Sequence, residues 1–444
     1  MDHVNYRFSL LTISLLLAAA SLFLMTPLAA ESAETLVLEK VLELSKTGNP
    51  LLLAADSRVK KERGRLVQAQ SYQAPRLTAT FGYQRLDEIQ NYYVFDTSGK
   101  NRIGIVPMEY ENTYQAALTL EQVIYSGGTV QAQIQAQKLI MAAREAERDR
   151  VAQGISNGVR VAYFALQRAA SREHVSTEAL SLAEEHLRQV EIFYRTGLVA
   201  KNEVLRVQVD VSSARLNRIR ATSDVKVAWK QLERVTGHSL EAEYTIPPGD
   251  FELEEFNVSA DPLNQAMQMR PELKSLAASE KAALKMVQAI KGSYLPQLRL
   301  VVEGRAYDEK FFPSQKEELR IKLQANFKIL DSGETRGQIV EQQAAAEELL
   351  YNIEDMKREI ALDVSKAQVN MDAALQRVQV AQDGILQAEE DYRMALKRYQ
   401  AKVGTNIDVL DARLALIDTR NAKIDAVAEA RTAYADLLYA TGEF

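Results

Sequence analysis

The segment Tyr399–Ala412 reads YQAKVGTNIDVLDA and interrupts a long helical pattern near the end of the chain. After the break at Val403-Gly404-Thr405, Asp408 and Asp411 stand three residues apart and therefore share one helix face. A related segment, Tyr194–Val207, reads YRTGLVAKNEVLRV and lies 205 residues earlier. The two segments predict two helix–turn–helix tips in a chain whose halves repeat one another.

Composition favours long helices and excludes several classes of function. The 444 residues are 47% hydrophobic, contain 19 Gly and 10 Pro, and are dominated by Ala, Gln, Glu, Lys, Arg and Leu. A net charge of −6 argues against a nucleic-acid partner, because neutralising phosphates requires clustered excess Lys and Arg. The absence of cysteine excludes disulfides, thiolate metal ligands, a cysteine nucleophile and a lipid anchor through Cys.

Residues 1–30 differ from the rest of the chain. Phe8–Met25 is apolar, follows Arg7 and leads to Ala29-Ala30, which predicts a secretory signal peptide cleaved after Ala30. A retained membrane anchor is the alternative, because the apolar run is long and little charge precedes it. After residue 30 no apolar run approaches the roughly 20 residues of a spanning helix, so entry into a membrane is expected only as a β-barrel.

The first predicted repeat occupies residues 31–237. Short helical segments precede alternating apolar and polar residues, and helical periodicity then returns. The segment 87–111, which is rich in Tyr and punctuated by Gly and Pro, is expected to be a loop. The main elements of this repeat are predicted as strands at 76–86 and 113–122 and long helices at 129–195 and 201–236.

The second predicted repeat, residues 261–444, follows an inter-repeat linker at 238–260. Its elements are predicted as strands at 297–306 and 318–327 and long helices at 334–400 and 405–441. The match to the first half settles at an offset of 205 residues: Ala183-Glu184-Glu185 matches Ala388-Glu389-Glu390, and Thr236-Gly237 matches Thr441-Gly442. The chain is therefore predicted to be one unit built twice.

Each predicted strand has one apolar and one polar side. In residues 318–327, for example, Leu319 and Ile321 alternate with Arg320 and Lys322. Strands of about ten residues have the length of outer-membrane strands, but a soluble antiparallel sheet with one face on a core gives the same alternation. Because four strands cannot close a barrel, a membrane version requires several chains, and three copies would supply about twelve strands.

The sequence predicts neither a catalytic site nor a metal site. His174 and His186 are twelve residues apart, which is not the spacing of a helical metal site, and His3 and His238 are remote from both. Ser126-Gly127-Gly128 lacks the Lys of a phosphate-binding loop, so a strand-to-helix turn is expected there. We therefore predict no enzyme activity and no cofactor.

The tandem repeat, the prolines before each strand pair and the tip motifs resemble the TolC-like outer membrane efflux protein family. The tip motifs are Gly197-Leu198-Val199-Ala200 and Val403-Gly404-Thr405 followed by Asp408-Val409-Leu410-Asp411-Ala412. The resemblance covers essentially all of the chain after residue 30. It implies a mainly α-helical homotrimer whose 12-stranded β-barrel in the Gram-negative outer membrane is continuous with a long periplasmic α-helical barrel.

The resemblance also implies a function and partners. Such channels dock on a periplasmic adaptor (membrane fusion) protein and on an inner-membrane transporter of RND, ABC or MFS type, with outer membrane lipids around the barrel. They are the passive exit duct of tripartite efflux or type I secretion systems for drugs, metals or polypeptides. The competing hypothesis is a pore-less periplasmic coiled-coil scaffold whose strands form a soluble sheet.

In that family the periplasmic constriction maps onto Asp408 and Asp411. Three chains would then place six carboxylates around one opening, and such a ring attracts cations and opposes anions. Crowded carboxylates are expected to raise one another's pKa values. The contrasting interpretation is an exposed aspartate pair on a solvated helix.

The resemblance also assigns a latch and two contact tips. Tyr399 and Glu203 match positions that hold the closed tip together, although Tyr399 is equally consistent with plain helix packing. Gly404 stands where the family has an Arg, so Lys402 or Lys201 is the candidate substitute. The turns at Gly197, Leu198 and Val199 and at Val403, Gly404 and Thr405 resemble adaptor-contact segments, and a helix reversal that needs Gly also explains them.

Overall fold

The computed structural model describes residues 34–100, 102–107, 110–241, 244–246, 256–311 and 316–443. The predicted signal peptide at 1–30 and the acidic run 250–255 of the inter-repeat linker lie outside these residues. Among the helices that the structure describes, none is both long and apolar enough to cross a membrane.

Helices dominate the described part of the chain. The helices are α1 (Leu38–Gly48), α2 (Pro50–Ser71), α3 (Thr129–Arg195), α4 (Lys201–Thr236), α5 (Pro262–Met269), α6 (Pro271–Gly292), α7 (Glu334–Gln400) and α8 (Asn406–Thr441). The strands are β1 (Glu34–Thr35), β2 (Arg76–Arg85), β3 (Asn91–Phe95), β4 (Arg102–Pro107), β5 (Asn112–Tyr125), β6 (Tyr244–Thr245), β7 (Gln297–Asp308) and β8 (Lys316–Asn326).

The long helices form two hairpins of equal size. α3 and α7 each contain 67 residues, and the return helices α4 and α8 each contain 36. At 1.5 Å per residue, α3 and α7 are about 100 Å long. The starts of α3 and α7, Thr129 and Glu334, lie 205 residues apart, as do the starts of α4 and α8, Lys201 and Asn406.

Left-handed backbone conformations occur at equivalent turns of the two hairpins. Gly197 has φ 72° at the first tip, and Lys402 has φ 67° at the second, 205 residues later. Gly237 and Gly442, with φ 78° and 85°, end the return helices at the same spacing. For Lys402, unlike Gly197, this left-handed conformation costs about 1 kcal/mol because the residue has a side chain. Contacts with the surrounding residues must therefore help to hold the second tip in its turn.

The four long strands form one antiparallel sheet in the order β2–β5–β7–β8. Within the described residues β2 and β8 are the edges of this sheet. Large apolar side chains on these edges are exposed: Phe81 is 61% exposed, Leu319 72% and Ile321 67%. Within the described residues, a single chain therefore leaves two unpaired strand edges and an exposed apolar surface. Soluble proteins usually cover both features.

Residues 87–111 do not form the simple loop that the sequence predicts. Most of this segment is a separate antiparallel hairpin of β3 and β4, in which Tyr93 pairs with Ile105. At its turn the Asp96 carboxylate accepts a hydrogen bond from the Ser98 N–H at 3.1 Å, and Gly99 has φ 70°. The expectation was wrong because Gly and Pro masked two short runs of strand-forming aromatic and branched residues.

Part of the inter-repeat linker 238–260 packs on the first repeat. β6 pairs in parallel with β1, and Leu240 is 1% exposed. Both contribute to the largest apolar core, which lies where α1, α3 and α4 meet. The residues buried in this core include Leu36, Val41, Val159, Leu166, Trp229 and Leu232.

Candidate functional site at the helical tips

The two tips meet around a small apolar core. Val190 on α3, Val207 on α4 and Val409 on α8 are at most 1% exposed, and Tyr399 on α7 is 5% exposed. All four long helices thus contribute to one cluster. The sequence periodicity places apolar residues at these positions, and their burial fixes the two tips against each other.

Tyr399 and Glu203, which the sequence analysis pairs, lie side by side. The Tyr399 ring packs edge-on against His186 and tilted against Phe193, with centroid separations of 5.4 and 5.8 Å. Its hydroxyl is buried and faces Glu203, without a hydrogen bond of normal geometry in the described part of the chain. Burial, reinforced by the Glu203 charge, raises the pKa of Tyr399 to about 12. The hydroxyl therefore keeps its proton and is able to donate it in a hydrogen bond to Glu203.

Lys402, the candidate substitute for the family's Arg, contacts an aromatic ring. Its Nζ atom lies 3.3 Å from the centroid of the Phe193 ring, a cation–π arrangement. Gly404, at the family's Arg position, lies close to the end of α7. A Cβ there would lie 3.0 Å from Arg398 Cβ and 3.2 Å from Tyr399 N, so a side chain would require the end of α7 to shift by a few tenths of an ångström.

Asp408 has a structural task at the start of α8. Its carboxylate accepts a hydrogen bond from the Thr405 backbone N–H at 2.9 Å, and the Thr405 hydroxyl accepts one from the Asp408 N–H at 3.2 Å. This capping box lowers the pKa of Asp408, chiefly through the Thr405 backbone hydrogen bond. Within one chain this shift is opposite to the upward shift that the sequence predicts for a crowded ring.

Asp411 lies one turn further along α8 and is exposed, as Asp408 is. The two carboxylates therefore stand on one accessible face, whereas Val409 and Ala412 between and after them are buried. The turns themselves present apolar side chains to the outside: Leu198 is 58% exposed and Val403 69%.

Four polar residues that are distant in the sequence also meet near the tips. His186 Nε2 lies 2.7 Å from Asn406 Oδ1, and the Arg413 guanidinium forms an ion pair with Asp210. The partners are 220 and 203 residues apart in the chain, so no local pattern links them. The sequence does contain one signal for this site. His186 is a polar residue in an otherwise apolar helical stripe, between Ala183 and Val190, and such a residue needs a polar partner when it is buried.

A polar cleft adjoins these residues between α3, α4 and α8. It has a volume of about 440 Å³ and is lined by both signs of charge, including Arg172, Asp210, Arg220 and Asp418. No group of three or more metal-ligating side chains occurs among the described residues.

A model of the family described as "Outer membrane efflux protein" matches residues 41–238 and 263–443. The alkaline protease secretion protein AprF of Pseudomonas aeruginosa is 23% identical to the chain over 255 residues. That alignment covers 56% of this chain and 53% of AprF, so the chain spans about half the length of this curated relative.

Solved outer membrane channels share the fold. The CmeC channel of Campylobacter jejuni aligns with a TM-score of 0.76 at 18% identity, covering 91% of this chain and 85% of CmeC. The open state of the MtrE channel of Neisseria gonorrhoeae gives 0.75 at 17% identity, with 91% and 89% covered. VceC of Vibrio cholerae gives 0.73 at 18% identity, with 91% and 96% covered.

Proposed function

The chain belongs to the outer membrane efflux protein family, and from that premise we propose that it is the outer-membrane exit duct of a tripartite efflux or type I secretion system. Three copies would form a 12-stranded β-barrel in the outer membrane, continuous with an α-helical barrel in the periplasm. The duct is passive, because energy enters through an inner-membrane transporter that a periplasmic adaptor connects to it.

The observation that carries the proposal is a sheet with two open edges at the head of two hairpins about 100 Å long. Open edges in lipid leave backbone groups without partners, so β2 of one copy must pair with β8 of the next. The exposed apolar side chains of β8 then face lipid, and its Arg and Lys side chains face a water-filled interior. Three copies of a four-stranded sheet satisfy every edge.

The proposed gate is the tip at the opposite end of the hairpins. Asp408 and Asp411 on their accessible face form the constriction, where six carboxylates in three copies would select for cations. Tyr399 and Glu203 join α7 to α4, and Lys402 on Phe193 fastens the second turn to the first hairpin. Opening would require these contacts between the hairpins to part.

The proposed adaptor contacts are the exposed turns around Leu198 and Val403. The exposed apolar side chains of the two neighbouring tips form a docking surface. Contact of these side chains with water is unfavourable, so burial against a partner protein would stabilise the complex. The cargo is set by the transporter that hands it over. AprF is named for secretion of a protease, and a polypeptide is therefore one of the cargo classes proposed for this chain, beside drugs and metals.

Membrane fractionation tests the proposal against the scaffold hypothesis. The full chain, expressed in a Gram-negative host, should sediment with the outer membrane and run on a gel as a trimer that heating converts to a monomer. Purified trimers should also conduct ions in a planar lipid bilayer. Recovery of the whole population from the soluble periplasm would instead support the pore-less scaffold.

A further inference from the structure

Four polar side chains form a buried layer just above the tips, here termed the polar layer: His186, Asp210, Asn406 and Arg413. His186, Asn406 and Arg413 are 4%, 5% and 2% exposed, and Asp210 is half-buried. Each link in the layer joins the two hairpins. His186 on α3 contacts Asn406 on α8, and Asp210 on α4 is paired with Arg413 on α8.

The polar layer is not a product of the internal repeat. The residues 205 positions from His186 and Arg413 are Asp391 and Gln208, so neither link recurs at the equivalent place. The layer instead belongs to the surface on which the described parts of the two hairpins touch, and the two hairpins contribute different residues to it. That surface is the one which must change if the second hairpin moves against the first.

Several atoms of the polar layer lack a hydrogen-bond partner within the described residues. They are His186 Nδ1, Asn406 Nδ2, Asp210 Oδ2, and Nε and Nη1 of Arg413. Buried polar atoms without partners are unfavourable, and water would satisfy them once the hairpins part. Taken as the closed state of the proposed gate, the observed arrangement is held by two links between the hairpins and opposed by the unpaired atoms around them.

His186 is the titratable centre of this layer. Arg413 and Asn406 face it from α8, Asp210 and Glu203 lie on α4, and Tyr392 and Tyr399 pack from α7. Burial lowers the pKa of His186, and Arg413 lowers it further, against the opposing effects of Asn406 and Asp210. The neutral ring donates its Nε2–H to Asn406 Oδ1, and Nδ1 has no hydrogen-bond partner among the described residues, so a second proton there would gain none without rearrangement of the layer.

We propose that the polar layer couples the two hairpins at neutral pH and releases them in acid, when a proton on His186 places a second cation beside Arg413. The inference rests on the proposed gate at the tips and adds its regulation. The closed tip binds fewer protons than the open tip, in which His186 meets water. Closed-state stability is thus complete above the open-state pKa of about 6.5 and declines as the pH falls below it.

The size of the effect follows from that linkage. If His186 stays neutral in the closed tip, acidification from about pH 7.5 to about pH 5.5 shifts the open-to-closed ratio by up to about tenfold per protomer. The change should be measured in trimers that carry Asp408→Asn and Asp411→Asn, because these substitutions remove titration of the carboxylate ring. Open probability in planar bilayers is the readout.

The decisive variant is His186→Gln, which retains a donor for Asn406 and does not titrate. Its open probability should not change with pH, whereas the matched control His174→Gln, an exposed histidine on the same helix, should respond as the parent does. Asn406→Asp supplies a carboxylate to the protonated ring and should abolish or reverse the acid response. Equal pH responses in the parent and His186→Gln would overturn the inference.

A second readout follows tip separation directly. The chain has no cysteine, so Val403→Cys gives a single spin-label site on each protomer at the exposed second tip. Distances between the three labels should increase in acid in the parent and stay constant with His186→Gln. If channels form and the label distances change equally in the parent and in His186→Gln, the proposed role of the polar layer is contradicted. Failure to form any conducting trimer would contradict the proposed function instead.

Discussion

The Arg413 guanidinium on α8 and the Asp210 carboxylate on α4 form an ion pair between the two hairpins, with 3% and 15% of their side chains exposed. Most other ion pairs of the described long helices are much more exposed; Arg420, for example, pairs with Glu178 and Glu389 at 31% exposure. A buried pair is weak evidence of net stabilisation, but loss of one partner leaves the other charge without compensation. The two hairpins are therefore sensitive to change at this point.

Arg413→Met should destabilise the contact between the hairpins by about 1–3 kcal/mol, because the half-buried Asp210 then lacks its counter-charge. Thermal unfolding of the detergent-solubilised protein and open probability in bilayers would both report the loss. Arg420→Met is the matched control, with an expected cost of about 0–1 kcal/mol. Adding Asp210→Leu to Arg413→Met should recover much of the stability, and failure to do so would mean that the pair acts through packing alone.

Replacement of both tip carboxylates, Asp408→Asn with Asp411→Asn, should weaken block of the channel by divalent cations. The negative field at the proposed constriction would disappear, while Asn at 408 still accepts the hydrogen bond from the Thr405 N–H. Single-channel current with added Mg²⁺ measures the effect. Asp372→Asn, at an exposed position far along α7, should leave block unchanged. Persistent block in the tip variant would place the constriction elsewhere.

Much of the architecture followed from the periodic pattern of the sequence. Helical spacing and an offset of 205 residues located the long helices and the tip turns, because long amphipathic helices and repeats carry a signal at many positions. The alternation in residues 318–327 predicted a strand, and β8 occupies Lys316–Asn326, with Leu319 and Ile321 exposed on its apolar side. The hairpin of β3 and β4 was missed because its strands are only five and six residues long.

The chemistry of the tips was less predictable. Contact between His186 and Asn406 depends on how two hairpins pack, and a single sequence does not encode that packing as a local pattern. The capping role of Asp408 was predictable from Thr405, three residues earlier, because the two residues form the pattern of a capping box. The sequence-based interpretation assigned Asp408 to the pore alone. The close approach of Gly404 to Arg398 depends on how the turn folds back on α7 and has no signature in the sequence.

Tyr399→Phe should raise the open probability of the channel severalfold, because it removes the hydroxyl beside Glu203 and preserves the ring packed on His186 and Phe193. A well-formed hydrogen bond to a charged group contributes about 1.5–3 kcal/mol, and this is an upper limit here because the contact with Glu203 lacks normal geometry. Tyr399→Ala would also leave a cavity and is therefore uninformative about the latch. Glu203→Gln tests the partner. Unchanged gating in both Tyr399→Phe and Glu203→Gln would assign Tyr399 to packing.

Glu233→Gln should destabilise the protein by about 1–2 kcal/mol at neutral pH. The Glu233 carboxylate binds Lys230 Nζ at 2.9 Å and the Leu240 N–H at 2.9 Å, and these contacts, Lys230 first, lower the pKa of Glu233 to about 2. A lowered pKa means that the stabilisation is present above about pH 4.5 and is lost as the pH falls towards 2.

Thermal unfolding measured by circular dichroism at neutral and acidic pH would check this prediction. The difference between the parent and Glu233→Gln should shrink steadily in acid. Glu241→Gln is the control, because Glu241 shares Lys230 but is more exposed, and its effect should be smaller at every pH. A pH-independent difference between the parent and Glu233→Gln would show that the charge of Glu233 is not the cause.

If three copies form the proposed barrel, Ile321→Arg should prevent its stable insertion, because Ile321 is 67% exposed on the apolar side of the edge strand β8. An arginine facing lipid near the membrane midplane costs about 2–4 kcal/mol per copy, and each trimer would carry the cost three times. Gln324→Arg, on the opposite side of the same strand, faces the proposed wet interior and should be tolerated. The amount of heat-modifiable trimer in the outer membrane fraction distinguishes the two variants. Equal yields would indicate that both sides of β8 meet water, as in a soluble sheet, and would favour the scaffold over the channel.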